Sequence, residues 1–327
     1  RLPAAMASTL LVPALWSSAR LFERRGIAFP GVALAAAVLA AFSPFHLWFG
    51  QEVRMYAQVA VLAPISLYWL LRWSESTGRT QAWAAFWAVL FTLGLLLTHY
   101  FAIYLMPIYI AVVARHVFRI NRTWGVILAG LLGAGALAVG LLVAWSILGQ
   151  PGAGGNFTAV ELETLAKDLL NAFSFGPGVP IDQVWWLDLL FGATAVVGMV
   201  AAVRNRQALR SDGWVLPALV LAPPLALWFV NRFLPSYMTA RHMAIISGAF
   251  LLAVAAGLAW LGSRQRWAGL VLGAMLAGCM LYANVQYFAT PDPRTTDYAG
   301  MGETLRDHLQ PGDVVVVRPP EFRRMFD

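Results

Sequence analysis

The sequence predicts an all-α polytopic membrane protein, with about ten transmembrane helices in this chain. Its composition is 60% hydrophobic and 12% charged, so a soluble domain built from it would have a largely apolar surface. Runs of roughly 20 mostly apolar residues, long enough to cross a ~30 Å hydrocarbon layer as helix, recur along the chain. The ten runs cover residues 2–19, 27–43, 53–73, 82–98, 101–117, 124–148, 184–203, 214–232, 242–261 and 267–288.

Basic residues follow every second run, which is the third observation behind the predicted fold class. Thirteen of the 23 lysines and arginines lie in five short loops. The positive-inside rule assigns such loops to the cytoplasm, so the other connections face outward from the plasma membrane. Because the net charge of +7 follows this alternation rather than one soluble face, we expect no nucleic-acid partner. The basic residues concerned are Arg20, Arg24, Arg25, Arg72, Arg79, Arg115, Arg119, Arg122, Arg204, Arg206, Arg210, Arg264 and Arg266.

The outward loop at residues 149–183 is long enough to hold structure of its own. Its segment "VELETLAKDLLNAFSF" has apolar residues at helical spacing opposite charged ones, which predicts an amphipathic helix in the membrane interface. This helix either packs passively on the bundle or controls access of a substrate, and the sequence leaves both open. The apolar positions are Leu162, Leu165, Leu169 and Phe173, and the charged ones are Glu161, Glu163, Lys167 and Asp168.

The last 38 residues differ in character from the apolar runs. Residues 290–297 read as a linker, "YAGMGETLRDHL" as a helix and "VVVV" as a short buried strand. We therefore expect a membrane domain at residues 1–289 and the start of a small extracytoplasmic α/β domain at residues 290–327. The chain begins inside an apolar run and stops just after the strand, so we expect a fragment that lacks both ends.

The stretch "FGQEVRMYAQ", residues 49–58, carries charge where an outward junction meets an apolar run. At helical pitch Gln51 and Arg54 share one face, with Glu52 and Tyr56 on a neighbouring one. An arginine near the bilayer is costly unless it snorkels, pairs or faces a wet cavity, so we expect these residues to face the bundle interior. The alternative is that Arg54 reaches the headgroups or pairs with Glu52.

Two further outward junctions carry polar side chains. "LLLTHYFAIYLMP" holds His99 and Tyr100, and "FVNRFLPSYMTARHM" holds Tyr237, Arg241 and His242. Each histidine and arginine here could be only an interfacial anchor. Arginines at a membrane edge also suit phosphate, because guanidinium donates paired hydrogen bonds and keeps its charge. No Walker loop, G-x-S-x-G or H-E-x-x-H motif occurs, which argues against an ATPase, an elbow-type hydrolase and a zinc protease.

These motifs together resemble a known enzyme family. "RLFERRG", "SPFHLWFGQEVRMYA", "THYF", the later "ARHMAII" and the end "DYAGMGETLRDHLQPGDVVVV" resemble bacterial glycosyltransferases related to dolichyl-phosphate-mannose protein mannosyltransferases, in the GT-C superfamily. The resemblance implies a GT-C-like fold in the bacterial inner membrane. It also implies transfer of a sugar, with inversion, from a polyprenyl-phosphate donor to a glycan, lipid or protein acceptor at the outer face.

The resemblance assigns roles to the outward residues. Arg54 and Arg241 would stabilise the polyprenyl-phosphate leaving group, and Glu52 would orient Arg54 or contact the sugar or acceptor. The family's main catalytic acid would lie upstream of Arg1. Some relatives use a divalent metal, but no cluster in the sequence demands one. The alternatives are a secondary transporter, against which the absence of matching halves argues, and a scaffold for envelope assembly.

Overall fold

A computed structural model describes residues 1–117, 122–148, 159–204, 212–233, 239–289 and 298–310. Almost all of these residues are helical and none is in a strand, which confirms the predicted all-α class for this part of the chain. Two short 3₁₀ helices, Tyr100–Leu105 and Ala240–Met243, lie at loop junctions. The α-helices are α1 Leu2–Arg24, α2 Val32–Phe42, α3 Pro44–Gln51, α4 Tyr56–Glu75, α5 Gly78–Thr98, α6 Met106–Val117, α7 Arg122–Leu148, α8 Leu162–Phe175, α9 Ile181–Arg204, α10 Val215–Asn231, α11 Ala244–Arg264, α12 Arg266–Ala289 and α13 Tyr298–His308.

Several of these helices are long and apolar enough to cross a membrane. Within the described residues five qualify: α1, α5, α9, α12 and α11 with its leading turn. A sixth span is obtained if α2 and α3, which bend by 48° at their junction, are counted together. The structure therefore supports a membrane protein built of helices, and the predicted number of ten spans stays a prediction.

Helix α11 is the centre of the bundle. Its most apolar window is 83% buried, and it packs on α2, α4, α9 and α10. Its contact with α9 depends on two glycines, Gly198 and Gly257. A Cβ added to Gly257 would lie 2.0 Å from the carbonyl oxygen of Thr194, and one added to Gly198 would lie 2.0 Å from that of Ala253. Small residues let the two backbones approach this closely, as at many membrane helix crossings.

One end of the bundle is held together by Asp212, whose side chain is fully buried. The Arg25 guanidinium lies 3.2 Å from one carboxylate oxygen, and His116 Nε2 lies 2.7 Å from the same oxygen. Arg115 Nε lies 3.1 Å from the other oxygen. Arg25 also donates to Glu75 at 2.6 Å, so the ends of α1, α4 and α6 meet the segment that precedes α10. We call this group the Asp212 cluster.

The charge state of Asp212 follows from these neighbours. Burial by itself raises the pKa of the carboxyl group, but the hydrogen bond from His116 and the charges of His116, Arg25 and Arg115 outweigh it and lower the pKa. Asp212 is therefore an ionised carboxylate at neutral pH. Together with Glu75 it balances the charge of the buried Arg25, and it also pairs with Arg115.

Described residues from all five basic loops that the sequence predicts lie at the same end of the bundle. The Asp212 cluster brings together the loops after the first, third, fifth and seventh apolar runs. Arg264, which follows the ninth run, lines one groove with Arg204 and Phe29. These described residues therefore lie together, as the sequence predicts, and we refer to this side as the basic end. Its assignment to the cytoplasm stays a prediction.

The predicted amphipathic helix is confirmed as α8, although Leu162 at its start is exposed. Leu165, Leu169 and Phe173 are buried. Asn171 fixes the helix to α9 by donating from Nδ2 to Asp188 Oδ2 at 3.0 Å. Nothing in this packing tests whether α8 controls access of a substrate.

The chain divides into two compact units, Arg1–Gln286 and Tyr287–Asp327. In the second unit the helix predicted from "YAGMGETLRDHL" is confirmed as α13. The predicted linker at residues 290–297 and the predicted strand at residues 314–317 lie outside the described residues. The α/β character of this unit therefore stays a prediction.

Candidate functional site

The helix that the sequence predicts through Glu52 and Arg54 is interrupted. Helix α3 ends at Gln51 and α4 begins at Tyr56, so the four residues between them are not helical. The backbone at Glu52 is extended, with φ −81° and ψ 145°. Its carboxylate accepts a hydrogen bond of 3.0 Å from the indole nitrogen of Trp48, one turn back in α3. This bond ties the side chain to α3, while the backbone leaves the helical path.

The break changes the predicted position of Arg54. Its side chain is exposed rather than directed into the bundle, so the inward position predicted for Arg54 is wrong. Within the described residues its guanidinium has no hydrogen bond, ion pair or ring contact. The alternative pairing with Glu52 is also absent, since Glu52 bonds Trp48.

Five side chains from three separate segments form an aromatic–histidine cluster: Tyr56, His99, Phe101, Arg241 and His242. The ring of His99 lies 5.7 Å from that of Tyr56 and 6.3 Å from that of His242, centre to centre. Phe101 stacks on His242 at 4.9 Å, with only 10° between the ring planes. Four of the five were predicted as site residues, and the structure brings those four together.

Arg241 and His242 reach the cluster from the 3₁₀ helix Ala240–Met243, which leads into α11. The Arg241 Cζ lies 5.9 Å from the centre of the Tyr56 ring, so the cation faces an aromatic surface. The side chain is half-buried, and guanidinium keeps its charge in such surroundings. The cluster therefore combines a fixed positive charge with flat apolar faces.

The other residues predicted for the site are Tyr100, Tyr237 and Glu52. Tyr100 stacks on His99 at 5.3 Å and is 44% exposed, so it extends the cluster towards the surface. Tyr237 lies outside the described residues. Glu52 Oε2 is buried and has no hydrogen-bond partner among the described residues, although Oε1 is bound to Trp48.

His99 has a defined protonation state. It lies between α5 and the 3₁₀ helix Tyr100–Leu105, and its Nδ1 accepts a hydrogen bond of 3.2 Å from the Phe101 backbone N–H. Burial lowers the pKa of His99 from 6.5 to about 4. The ring is therefore neutral at physiological pH, and its proton lies on Nε2, which remains a donor.

Sequence reasoning missed two parts of this site. Phe101 and Trp48 are aromatic residues in apolar runs, where they look like membrane-interface anchors. For Trp48 the spacing was the available signal, because it is four residues before Glu52, whereas Phe101, two residues after His99, gave none. As for a metal, the described residues contain no group of three or more His, Cys, Asp or Glu side chains placed to hold one.

Comparisons with protein-family models, with curated proteins and with solved structures found no match for this chain.

Acidification is expected to destabilise the protein partly through His99. In the unfolded chain its imidazole takes up a proton below pH 6.5, whereas the folded residue does so only near pH 4. The stability present above pH 6.5 is therefore lost as the pH falls towards 4, by up to about 3 kcal/mol. The measurement is thermal unfolding in detergent at about pH 7 and about pH 4.5.

Two variants isolate the contribution of His99. His99→Gln should show a smaller fall in Tm between the two pH values than the unmodified protein. His308→Gln, which changes an exposed histidine in α13, should leave the fall unchanged. An equal pH dependence in the protein and in His99→Gln would contradict the assignment.

Proposed function

We propose that this protein transfers a sugar from a polyprenyl-phosphate donor to an acceptor at a membrane surface. The observation that carries the proposal is the aromatic–histidine cluster. It sets a half-buried arginine and two histidines against aromatic rings at the opposite end of α5 from the basic end. Such a combination suits a ligand with an anionic phosphate next to a sugar. The motif resemblance of the sequence points to the same reaction.

Arg241 is proposed to bind the donor phosphate. When the bond between the sugar and the phosphate breaks, the electron pair stays on the phosphate oxygen, and negative charge increases there. A guanidinium that is already fixed against Tyr56 stabilises that charge without reorganising. Polyprenyl phosphate leaves as a stable anion, so the leaving group needs this positive charge more than it needs a proton donor.

The neighbouring side chains are proposed to orient the sugar. Tyr56 and the exposed Tyr100 offer ring faces, and the neutral His99 offers an Nε2–H donor to a hydroxyl. Glu52, with one carboxylate oxygen unpartnered in the described structure, is proposed as an acceptor for a hydroxyl of the sugar or of the acceptor molecule. Arg54 is proposed to meet the donor phosphate only as it approaches, because its side chain is exposed.

The proposal is tested in proteoliposomes that contain the full chain, a radiolabelled polyprenyl-phosphate mannose and a membrane extract as acceptor. We expect label to pass to the acceptor fraction and polyprenyl phosphate to accumulate in equal amount. Arg241→Ala should abolish both, whereas Arg79→Gln, an exposed arginine at the start of α5, should leave both unchanged.

The same assay separates the alternative functions. A secondary transporter would move a labelled solute or lipid across the vesicle membrane while the sugar–phosphate bond stays intact. A scaffold would do neither. Either outcome, obtained with several polyprenyl-linked sugars, would overturn the proposed reaction.

A further inference from the structure

A groove of about 610 Å³ opens between α9 and α11 at the basic end. Its apolar wall includes Val196 and Val200 of α9, and Trp260 of α11 contributes a ring. Arg204 and Arg264 line the same groove, one from the last turn of each helix. The groove has the size of a small-molecule site but lies on the lipid-facing side, since both valines are exposed.

The groove lies next to the glycine contact between α9 and α11. Gly198 and Gly257 hold the two backbones together about two turns before the arginines. Val200 and Trp260, which follow the two glycines towards the basic end, line the groove between the helices. Both arginines therefore lie at the mouth of the apolar groove, at the ends of the two crossing helices.

Within the described residues, the arginines at this mouth have no acidic partner. No acidic residue lines the groove, and neither Arg204 nor Arg264 forms an ion pair within the described ranges. The Arg264 Cζ lies 5.6 Å from the centre of the Trp260 ring, which holds the cation beside the opening. Two guanidinium groups above an apolar wall match a phosphate group joined to an acyl chain.

We propose that this groove binds one anionic phospholipid, with its phosphate at Arg204 and Arg264 and an acyl chain along Val196 and Val200. The occupant is a lipid of the leaflet that meets the basic end, because negative surface potential attracts basic residues next to a membrane helix. The inference does not depend on glycosyl transfer.

The experiment is native mass spectrometry of the full chain in detergent, titrated with phosphatidylglycerol or with phosphatidylcholine. We expect one phosphatidylglycerol to bind in preference to phosphatidylcholine. The double variant Arg204→Gln with Arg264→Gln should weaken the binding of phosphatidylglycerol by about 25-fold, because each arginine near an anionic lipid surface contributes a factor of about five. Val200→Trp should weaken the binding of both lipids, because the indole fills the space of the acyl chain.

The matched control removes two arginines of the same end that lie outside the groove. Arg79 is exposed at the start of α5, and Arg266 lines a separate groove between α2, α11 and α12. The double variant Arg79→Gln with Arg266→Gln should bind phosphatidylglycerol as tightly as the unmodified protein does. Both double variants should keep the size-exclusion profile and the Tm of the unmodified protein, because all four side chains are exposed.

Four results would overturn the proposal. Equal loss in the two double variants would mean that the whole basic end attracts the lipid. Equal binding of the two lipids would remove the role of the phosphate charge. Unchanged binding in Val200→Trp, or displacement of the lipid by inorganic phosphate alone, would show that no chain is seated in the groove.

Discussion

Arg241→Ala is expected to weaken the binding of polyprenyl phosphate by roughly 100-fold, equivalent to about 2.7 kcal/mol. The variant removes the half-buried cation of the aromatic–histidine cluster and leaves the phosphate charge without its partner. Arg241→Lys should restore only part of the affinity, since a point charge replaces a planar pair of donors. The measurement is the Kd for polyprenyl phosphate with the protein in nanodiscs.

Arg232 provides a matched control for this prediction. Its Cζ also lies over an aromatic ring, at 5.1 Å from the centre of Trp228, and its guanidinium is bound by Glu161 at 2.8 and 3.2 Å. Because Arg232 is exposed and lies outside the aromatic–histidine cluster, Arg232→Ala should leave the Kd nearly unchanged. Arg54→Ala should have a smaller effect than Arg241→Ala, since Arg54 is exposed. Equal losses for Arg232→Ala and Arg241→Ala would refute a specific phosphate contact.

Asp212→Ala is expected to lower the free energy of unfolding by about 3 to 5 kcal/mol, the cost of removing one partner of a buried ion pair. The Arg25 side chain is only 6% exposed, so its charge stays buried after the Asp212 carboxylate is lost, with Glu75 as its remaining partner. The unfolding of the protein in mixed micelles, followed by helical signal against denaturing detergent, measures the change.

The Asp212 backbone needs a control of its own. Its φ is +66°, in the left-handed region that Asn tolerates better than most residues, so Asp212→Asn removes the charge without added backbone strain. We expect Asp212→Asn to lower the free energy of unfolding by less than Asp212→Ala does, but by a clearly measurable amount. Glu163→Ala, which breaks the exposed pair with Lys167, should cost less than about 0.5 kcal/mol. Similar stability in all three variants would contradict a buried ionic cluster.

Much of the fold follows from apolar periodicity and charge alone. The amphipathic helix α8 was predicted because Leu165, Leu169 and Phe173 lie one turn apart, and packing of one helical face depends on little else. The alternation of basic loops was predictable because charge resists crossing lipid. Asp212 was not recognised, since a carboxylate in a basic loop gains its role only from residues distant in the chain.

The candidate site was predictable in part for the same physical reasons. Tyr56, His99, Arg241 and His242 stand at junctions that the topology sends to one end, so their meeting could be expected. The exposed position of Arg54 could not be predicted, because helical pitch alone continues the helix through Glu52. A single side-chain bond to Trp48 accompanies the break, and periodicity carries no information about such bonds.

The Asp212 cluster also implies an order of assembly. Arg25 is 50 residues from Glu75 but 187 residues from Asp212. A chain made from its N-terminus can form the first pair early, whereas the carboxylate shared by Arg25, Arg115 and His116 arrives last. Until residue 212 has been synthesised, Arg25 has Glu75 as its counter-charge but lacks its second carboxylate. Closure of this end then joins the ends of α1, α4 and α6 to the segment that precedes α10.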